Sequence, residues 1–400
     1  MRKTFIILTI LLLTLPLNAQ YIRLTDSKKK GALYLNTDRV FNFNRYEGIR
    51  LEATLYAVYP NDNHELARKM PYQWQFSAFG GIGTQSHTVS YGGSIALQQR
   101  HKHRWRPAIA YSHDLHHAGS TSLEDYHLLN IANNAVYATD HYTMADIITL
   151  SVQGRPLPFL AIAASASHSL ERNLFDTDGI LLYDNHAITP LRQYSDLNLR
   201  ATLYNHTTLN LHVGKQHLGN SQPFIQAIVQ YNKVHTISPL LSLDTYLQAG
   251  ASSRVPYSRL FDISGTWNLV MFFNHTMLTV APNEFHGHLY ARATLTLSAT
   301  HALYQWTYSA PVPFLQLGAL AGWLIDHDGP TGSAIVDGFS LTAPSHGLLE
   351  PAIGCHSILR WGLVDLGLAA ALRLAPPHTP YHHHDPDRNY SIMGTVTLKI

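Results

Sequence analysis

The segment Gly287–Ala299, GHLYARATLTLSA, decides the fold class, because its residues alternate between apolar and polar. One set of alternate residues is apolar: Leu289, Ala291, Ala293, Leu295, Leu297 and Ala299. The other set is mostly polar: His288, Tyr290, Arg292, Thr294, Thr296 and Ser298. In a helix these polar groups would be scattered all round, whereas a strand places them on one face. The pattern therefore predicts a strand with one apolar face and one polar face.

The same period recurs along the chain, in residues 51–59, 148–153, 197–204, 209–213 and 364–374. The two stretches 197–204 and 209–213 flank a short polar segment, which predicts a hairpin. The longer alternating stretches run about 9 to 13 residues, the length that a tilted strand needs to cross a bilayer. Strands of soluble proteins average nearer five or six residues. The strand lengths therefore favour a membrane-spanning sheet.

The composition agrees with a membrane-spanning sheet. Charged residues make up 14% of the chain, against about 25% in ordinary soluble domains, and the chain contains 22 tyrosines and 26 histidines. Its 28 Lys and Arg nearly balance its 26 Asp and Glu, so nothing steers it toward nucleic acid. A single cysteine, Cys355, excludes an internal disulfide framework.

The N-terminus has the form of a secretory signal peptide. Arg2 and Lys3 precede the apolar run 5–17, and Ala19 is the expected cleavage position. We therefore predict a signal peptide at 1–19, an N-terminal leading segment at 20–45 and an outer-membrane β-barrel at 46–400.

The predicted fold class is an all-β, transmembrane, antiparallel up-and-down β-barrel of about 14 strands, with a range of 12–16. Residues 114–144 and 172–195 lack the alternation and are interpreted as long loops. The alternative is a soluble secreted all-β protein, such as a sandwich or propeller, in which aromatic residues also favour strands.

The C-terminal stretch YSIMGTVTLKI, residues 390–400, resembles the terminal strand of bacterial outer-membrane barrels, although Ile400 replaces the usual final aromatic residue. The segment NAQ at 18–20 and the tyrosine-rich strands resemble uncharacterised barrel families of Gram-negative bacteria. This resemblance implies a location in the cell outer membrane. It also implies contact with outer-membrane lipid and lipopolysaccharide, and with the barrel assembly machinery.

By analogy with those barrels, the C-terminus is periplasmic and the last strand runs inward from the outside. Residues 376–389 then form an external loop, and residues 326–332 form an earlier external turn. Residues 344–356, which include Cys355, are expected to join two strands on the periplasmic side.

Histidine and aspartate cluster in these external segments, and both suit zinc, copper or iron where no thiolate is present. The candidate ligands for a divalent metal or haem are His378, His382, His383, His384, Asp385, Asp387, Asp326, His327 and Asp328. A third cluster contains His113, Asp114, His116 and His117. The alternative is that histidine substitutes for charged residues throughout a histidine-rich chain, in which case no cofactor is bound.

Two further groups of residues were considered for chemistry. Ser165, Ser167 and Ser169 accompany His168, but alternation places His168 on the opposite strand face, which disfavours a hydrolase. The basic run 100–106, RHKHRWR, is either a contact to lipid headgroups or lipopolysaccharide at one rim, or a solvated turn.

The polar strand faces predict the lining of the barrel lumen. The candidates are Asp365, Arg373, Arg292, Arg200, His288, Tyr290 and Lys399. They predict a polar lumen that is either an open pore or a closed ion-pair network. The sequence favours a non-enzymatic barrel that acts as a passive channel or as the barrel component of an uptake system with its own partner. A metal-capturing or haem-capturing barrel and an outer-membrane hydrolase are the alternatives.

Overall fold

The computed structural model describes residues 21–26, 28–36, 41–44, 46–100, 104–117, 142–175, 190–218, 223–263, 277–280, 284–326, 328–361, 364–374 and 389–398. These residues are almost entirely strand, as the period-two alternation predicts. Among them, no helix is long and apolar enough to cross a membrane.

The strands are β1 (Tyr21–Arg23), β2 (Ala32–Asn36), β3 (Phe41–Asn44), β4 (Gly48–Tyr59), β5 (Tyr72–Gly83), β6 (Val89–Gln99), β7 (Arg106–His117), β8 (Tyr142–Leu157), β9 (Leu160–Asn173), β10 (Arg192–Leu203), β11 (Thr207–Gln216), β12 (Pro223–Ser238), β13 (Leu241–Ser252), β14 (Phe261–Asp262), β15 (His286–Gly287), β16 (Leu289–Ala299), β17 (Val312–Asp326), β18 (Gly329–Thr331), β19 (Ser333–Val336), β20 (Phe339–Thr342), β21 (Leu348–Trp361), β22 (Val364–Leu372) and β23 (Tyr390–Leu398). A short helix, α1 (Glu65–Lys69), follows β4, and a 3-10 turn (Tyr257–Arg259) follows β13.

Nineteen of these strands form one sheet. We call this sheet the wall, and its long strands each pair antiparallel with the next long strand along the chain: β4 to β13, β16, β17, β21, β22 and β23. β2 and β3 pair with opposite ends of β4, so together they occupy one position in the wall. β1 pairs with the other edge of β2, and β18 folds back on the end of β17. The described residues therefore supply sixteen wall strands, at the upper end of the predicted range, and the sheet extends into the leading segment.

In this sheet the apolar side chains are exposed and the polar side chains are buried, which is the reverse of a soluble protein. Leu150, Leu197 and Leu199 project outward and are 57%, 60% and 48% exposed, whereas the polar Asp196 and Gln226 on the other face are buried. Large contiguous apolar surfaces are rare on soluble monomers and mark contact with a membrane or a partner. A lipid-facing apolar band around a polar interior is the arrangement of a transmembrane barrel.

The connections differ in length at the two ends of the sheet. The strand ends that border the longest connections all lie at one end of the sheet, which we call the loop end; these connections are residues 118–141, 174–191, 253–288, 327–347 and 373–389. The opposite end, the turn end, carries tight connections such as residues 158–159, 204–206 and 239–240. The predicted hairpin is confirmed, since β10 and β11 pair from Leu203 opposite Thr207 onward.

One topological expectation is wrong. Residues 344–356 do not join two strands on the periplasmic side, because residues 348–361 form β21, which pairs with β17 and β22. β21 begins at the loop end, and it ends at the turn end, where Trp361 pairs with Val364 at the start of β22. The turn-forming residues Pro344, Gly347 and Pro351 misled the interpretation, because Pro351 lies inside β21 opposite Leu317. The ends of β17 and β22 that border the predicted external segments 326–332 and 376–389 lie at the same end of the sheet, the loop end, while residues 375–388 themselves lie outside the described residues.

Candidate functional site

The described residues of the connection between β13 and β16 fold into the interior of the sheet. We call these residues, 253–263, 277–280 and 284–288, the inward segment. Tyr257, Leu260 and Phe285 are almost completely buried, and they pack in clusters with inward residues of the wall such as Phe224 and Leu320. The interior at the loop end is therefore filled by the chain itself.

Arg259 attaches the inward segment to the wall. Its guanidinium donates to both carboxylate oxygens of Glu171 on β9, at 2.9 and 2.5 Å, and lies 3.3 Å from Asp196 on β10. The same group lies over the ring of Tyr194, 4.2 Å from its centroid. The backbone carbonyl of Arg259 accepts a hydrogen bond from Gln226 on β12, at 2.7 Å. One residue thus contacts three strands, and its charge is neutralised where water is largely excluded.

His212 of β11 completes this network. Its two ring nitrogens lie 2.8 Å from Asp196 Oδ1 and 2.8 Å from Gln226 Oε1. Gly214, two residues further along β11, leaves room for Asp196, because a Cβ at Gly214 would overlap the Asp196 carboxylate. The wall is therefore shaped to hold Asp196 toward Arg259.

A second attachment lies on the opposite part of the wall. Glu350 of β21 accepts hydrogen bonds from the backbone N–H groups of Leu278 and Thr279, each at 2.7 Å, and from the Thr279 hydroxyl. Arg373, which follows β22, donates to Glu284 Oε1 at 2.6 Å and to the Thr279 carbonyl at 3.3 Å. These contacts hold the later part of the inward segment against strands distant from Glu171.

The hairpin of β19 and β20 covers the inward segment at the loop end. Phe339 stacks on Tyr257 with ring centroids 4.2 Å apart. Asp337, at the hairpin tip, accepts from the Tyr257 backbone N–H at 2.9 Å and pairs with Arg192 at 3.2 Å. The hairpin therefore acts as a lid that shares a hydrophobic cluster with the segment beneath it.

The interior differs between its two ends. At the loop end, the inward side chains of Glu171, Asp196 and Gln226 are buried. At the turn end, the inward side chains of Gln153 and Arg155 on β8 are exposed. The interior beside β8 at the turn end is therefore accessible to water, and we call it the vestibule, whereas Phe314 and Asp365 at the turn ends of β17 and β22 are buried.

The structure places six of the seven predicted lumen residues on the inward side, and Lys399 lies outside the described residues. Arg373 contacts the inward segment, and His288, the last residue of that segment, accepts a hydrogen bond from the Ile325 N–H of β17 at 3.1 Å. Tyr290 packs in the same cluster as Phe261. Arg292 donates to the Tyr246 hydroxyl at 2.8 Å. Asp365 accepts from the Ser357 hydroxyl at 2.6 Å. Arg200 borders the vestibule.

The predicted metal or haem ligands fall mostly outside the described residues: His378, His382, His383, His384, Asp385, Asp387 and His327. Asp326 and Asp328 are described and are exposed at the end of β17. Within the described ranges no group of three or more metal-ligating side chains converges. The metal and haem hypothesis stays a prediction, which loss of metal binding on changing His382, His383 and His384 together would test.

His168 and the neighbouring serines diverge, as alternation predicts: Ser169 is buried on the inward face while His168 is outward. The strand pairing of β9 with β10 instead brings His168 Nδ1 to 3.0 Å from Ser195 Oγ. The sequence does not reveal this contact, because it depends on the register between two strands separated by a long connection.

The residues that hold the inward segment were also missed by sequence reasoning, apart from Arg373. Glu171 lies near the end of β9, next to the segment 172–195 that was interpreted as a loop, and Arg259 lies in a segment without alternation. The available signal was the length of the β13–β16 connection, since a connection beyond about 12–15 residues in a compact domain is often functional.

No protein-family model and no curated protein sequence matches the chain. The crystal structure of BamA from Haemophilus ducreyi lacking POTRA domains 1–3 is similar, with a TM-score of 0.52 and 8% identity over 92% of this chain and 71% of that chain. CdiB from Escherichia coli gives a TM-score of 0.44 at 12% identity, and CdiB from Acinetobacter baumannii gives 0.43 at 10%. The chain spans 62% and 59% of these two CdiB chains, and they cover 92% of it.

The likeness to BamA shows the fold, which is that of a large outer-membrane β-barrel. The predicted fold class is therefore confirmed, and the soluble sandwich or propeller is not the fold observed. The cell outer membrane is the location that belongs to this fold, as the sequence predicts.

Proposed function

We propose that the chain is a gated transport barrel of the outer membrane, whose passage is closed at the loop end by the inward segment. The observation that carries this proposal is the set of salt bridges from Arg259 to Glu171 and Asp196. A segment that served only to fill space would need no buried charge, since replacing a buried ion pair by apolar residues is often neutral or stabilising. A buried polar attachment suits a contact that must form in one position and be released.

The water-exposed vestibule supports the same proposal. The polar interior is filled at the loop end and exposed to water beside β8 at the turn end, so movement of the inward segment and its lid would connect this vestibule with the loop end. This favours a gated barrel over the permanently open passive channel. An uptake-system partner that displaces the segment is one way to open it.

Removing the Glu350 side chain and recording conductance in planar lipid bilayers tests the proposal. We expect the wild-type protein to conduct rarely and Glu350→Ala to raise its open probability about tenfold or more, because an unpaired buried N–H costs about 1–3 kcal/mol. Glu65→Ala, on the exposed α1, is the matched control and should conduct like the wild type. A wild type that is permanently open, or a Glu350→Ala variant that stays closed, contradicts the gate.

The membrane location has its own test. We expect the protein to fractionate with outer membranes and to migrate differently on gels before and after boiling, because a closed hydrogen-bonded sheet resists detergent until it is heated. Conductance by the gate variants cannot be interpreted without this result. Recovery of the protein in the soluble fraction without detergent would refute the outer-membrane assignment.

A further inference from the structure

A polar cluster lies on the outward face of the wall toward the loop end, where β9, β10 and β11 run side by side. Its members are His168, Gln193, Ser195, Lys215 and His217. Ser195 Oγ lies 3.0 Å from His168 Nδ1 and 2.8 Å from His217 Nε2. The amide nitrogen of Gln193 lies 2.8 Å from His168 Nε2. We propose that Ser195 is the nucleophile of an acyl hydrolase that cleaves the ester bonds of glycerophospholipids.

The hydrogen bonds of this cluster run in one direction, with the hydrogen positions assigned from the donors and acceptors present. The amide N–H of Gln193 donates to His168 Nε2, so the hydrogen of this neutral imidazole is on Nδ1. That Nδ1–H donates to Ser195 Oγ. The single hydroxyl hydrogen of Ser195 is then donated to His217 Nε2. His217 is therefore placed as the general base of Ser195, and such a pairing turns a weak serine hydroxyl into a nucleophile.

The register places this cluster at the edge of the apolar band. A row of neighbouring outward residues crosses the wall through Tyr91, His113, Asp146, Leu170, Gln193 and His217. Tyr91 stacks on His113 in this row, whereas the outward residues of β10 toward the turn end are Leu197 and Leu199. Aromatic and polar side chains border the apolar band at the level of the lipid headgroups. Ser195 thus lies between the two, where acyl chains join the headgroup.

An apolar groove of about 590 Å³ lies on the same outward face, next to the cluster. Small residues of β9, Ala164 and Ala166, form its floor, and larger apolar side chains of β8 and β10 form its sides. Ala166 pairs with Leu197. The next outward pair along β9, about 7 Å further on, is His168 with Ser195. The volume is that of a small-ligand pocket, about 300–1,000 Å³, so an acyl chain in the groove brings its ester carbonyl to Ser195.

The reaction balances with water as the second substrate. Ser195 Oγ bonds to the ester carbonyl carbon while its proton passes to His217 Nε2, and negative charge develops on the carbonyl oxygen. Lys215 pairs directly with Ser195 and is exposed on the same face, so its cation is placed to stabilise that oxygen. The bond to the alcohol oxygen then breaks, and the lysophospholipid leaves with the proton from His217. Water attacks the acyl-serine, and His217 takes a proton from the water and returns it to Ser195 as the fatty acid is released.

The test measures fatty acid released by the purified full-length protein from dioleoyl phosphatidylethanolamine, in micelles of a detergent without ester bonds. We expect release by the wild type and loss to background in Ser195→Ala. His217→Asn should lower the rate about a hundredfold or more, since a general base contributes about 10²–10⁴-fold. Ser167→Ala is the matched control and should leave the rate unchanged, because Ser167 is adjacent to His168 but pairs with Asp196 on the inward face. Heat-modifiable gel migration checks that each variant has folded.

Two further measurements make the result specific. A fluorophosphonate reacts covalently with an activated serine hydroxyl, so it should label Ser195 of the wild type, as located by mass spectrometry. Ala166→Phe fills the groove from the outward face. It should slow release of the long acyl chain about tenfold or more, because the ester is misplaced, and leave hydrolysis of p-nitrophenyl acetate unchanged.

The outcomes that overturn the proposal are no release by the wild type, no label at Ser195, or release that Ser195→Ala leaves unchanged. The cluster is on the outward face, outside the passage, so hydrolysis does not depend on whether the barrel conducts. Failure of this proposal is therefore distinct from failure of the gate.

Discussion

Replacement of Arg259 by alanine is expected to open the passage. The substitution leaves Glu171 and Asp196 buried without their cation, and breaking a buried ion pair in this way costs about 3–5 kcal/mol. That energy lowers the closed-to-open ratio of the inward segment by roughly two to four orders of magnitude. Single-channel recording in planar bilayers should show a protein that is mostly open, where the wild type is mostly closed.

Arg254→Ala is the matched control for this variant. Arg254 lies five residues earlier in the same segment, is exposed, and donates to the Asp326 carbonyl at 2.9 Å. Its loss should leave the open probability near the wild-type value.

A double-mutant cycle tests the same contact in a second way. Glu171→Gln and Arg259→Ala both remove the contact between Glu171 and Arg259, so their effects on open probability should be strongly non-additive. If Arg259→Ala folds, inserts and stays closed, Arg259 does not hold a gate.

The second large effect concerns the outward face. Leu199→Arg is expected to destabilise the barrel by about 2–4 kcal/mol if the residue lies near the middle of the bilayer, because a charge on the lipid face must be buried in hydrocarbon. Urea unfolding in phospholipid vesicles, followed by tryptophan fluorescence, measures this as a lower midpoint. Leu199 is 48% exposed on the outward face of β10, so the substitution places one charge on that face and changes nothing in the interior.

Asn198→Arg is the matched control for Leu199→Arg. Asn198 is the adjacent residue on β10, paired with Ser165 and His212 on the inward face. An arginine there meets the polar interior, so we expect a change in unfolding free energy well below that of Leu199→Arg. Equal destabilisation by the two variants would show that the outward face is not in contact with lipid.

Much of the wall could be predicted from the sequence. The alternation of Leu289 with Tyr290, and of Leu366 with Asp365, follows from the period of a strand and needs no knowledge of its neighbours. The face of each residue was therefore predictable wherever a strand was recognised. The register was not, because His168 meets Ser195 only after two strands separated by a long connection have paired.

The inward segment was the part that the sequence did not reveal. Arg259 and Leu260 lie in a stretch without period-two or helical alternation, so pattern reasoning leaves it as a connection. Their burial arises from long-range contacts with β9, β10 and β12, and such contacts carry no local signature. The same holds for Pro351, which reads as a turn locally but lies in a strand because β17 and β22 pair with it on both sides.

The sequence by itself determined that this chain forms long amphipathic strands with an apolar outer face, because alternation and low charge are local properties that a bilayer selects. Only the tertiary structure decided what the interior contains: a segment held by Arg259 and Glu350 at the loop end, and a water-exposed vestibule beside β8 at the turn end. The physical reason is distance along the chain. Glu171 and Arg259 are 88 residues apart, and the ion pair between them exists only once the curvature of the wall and the fold of the inward segment have brought both to the same point in the interior.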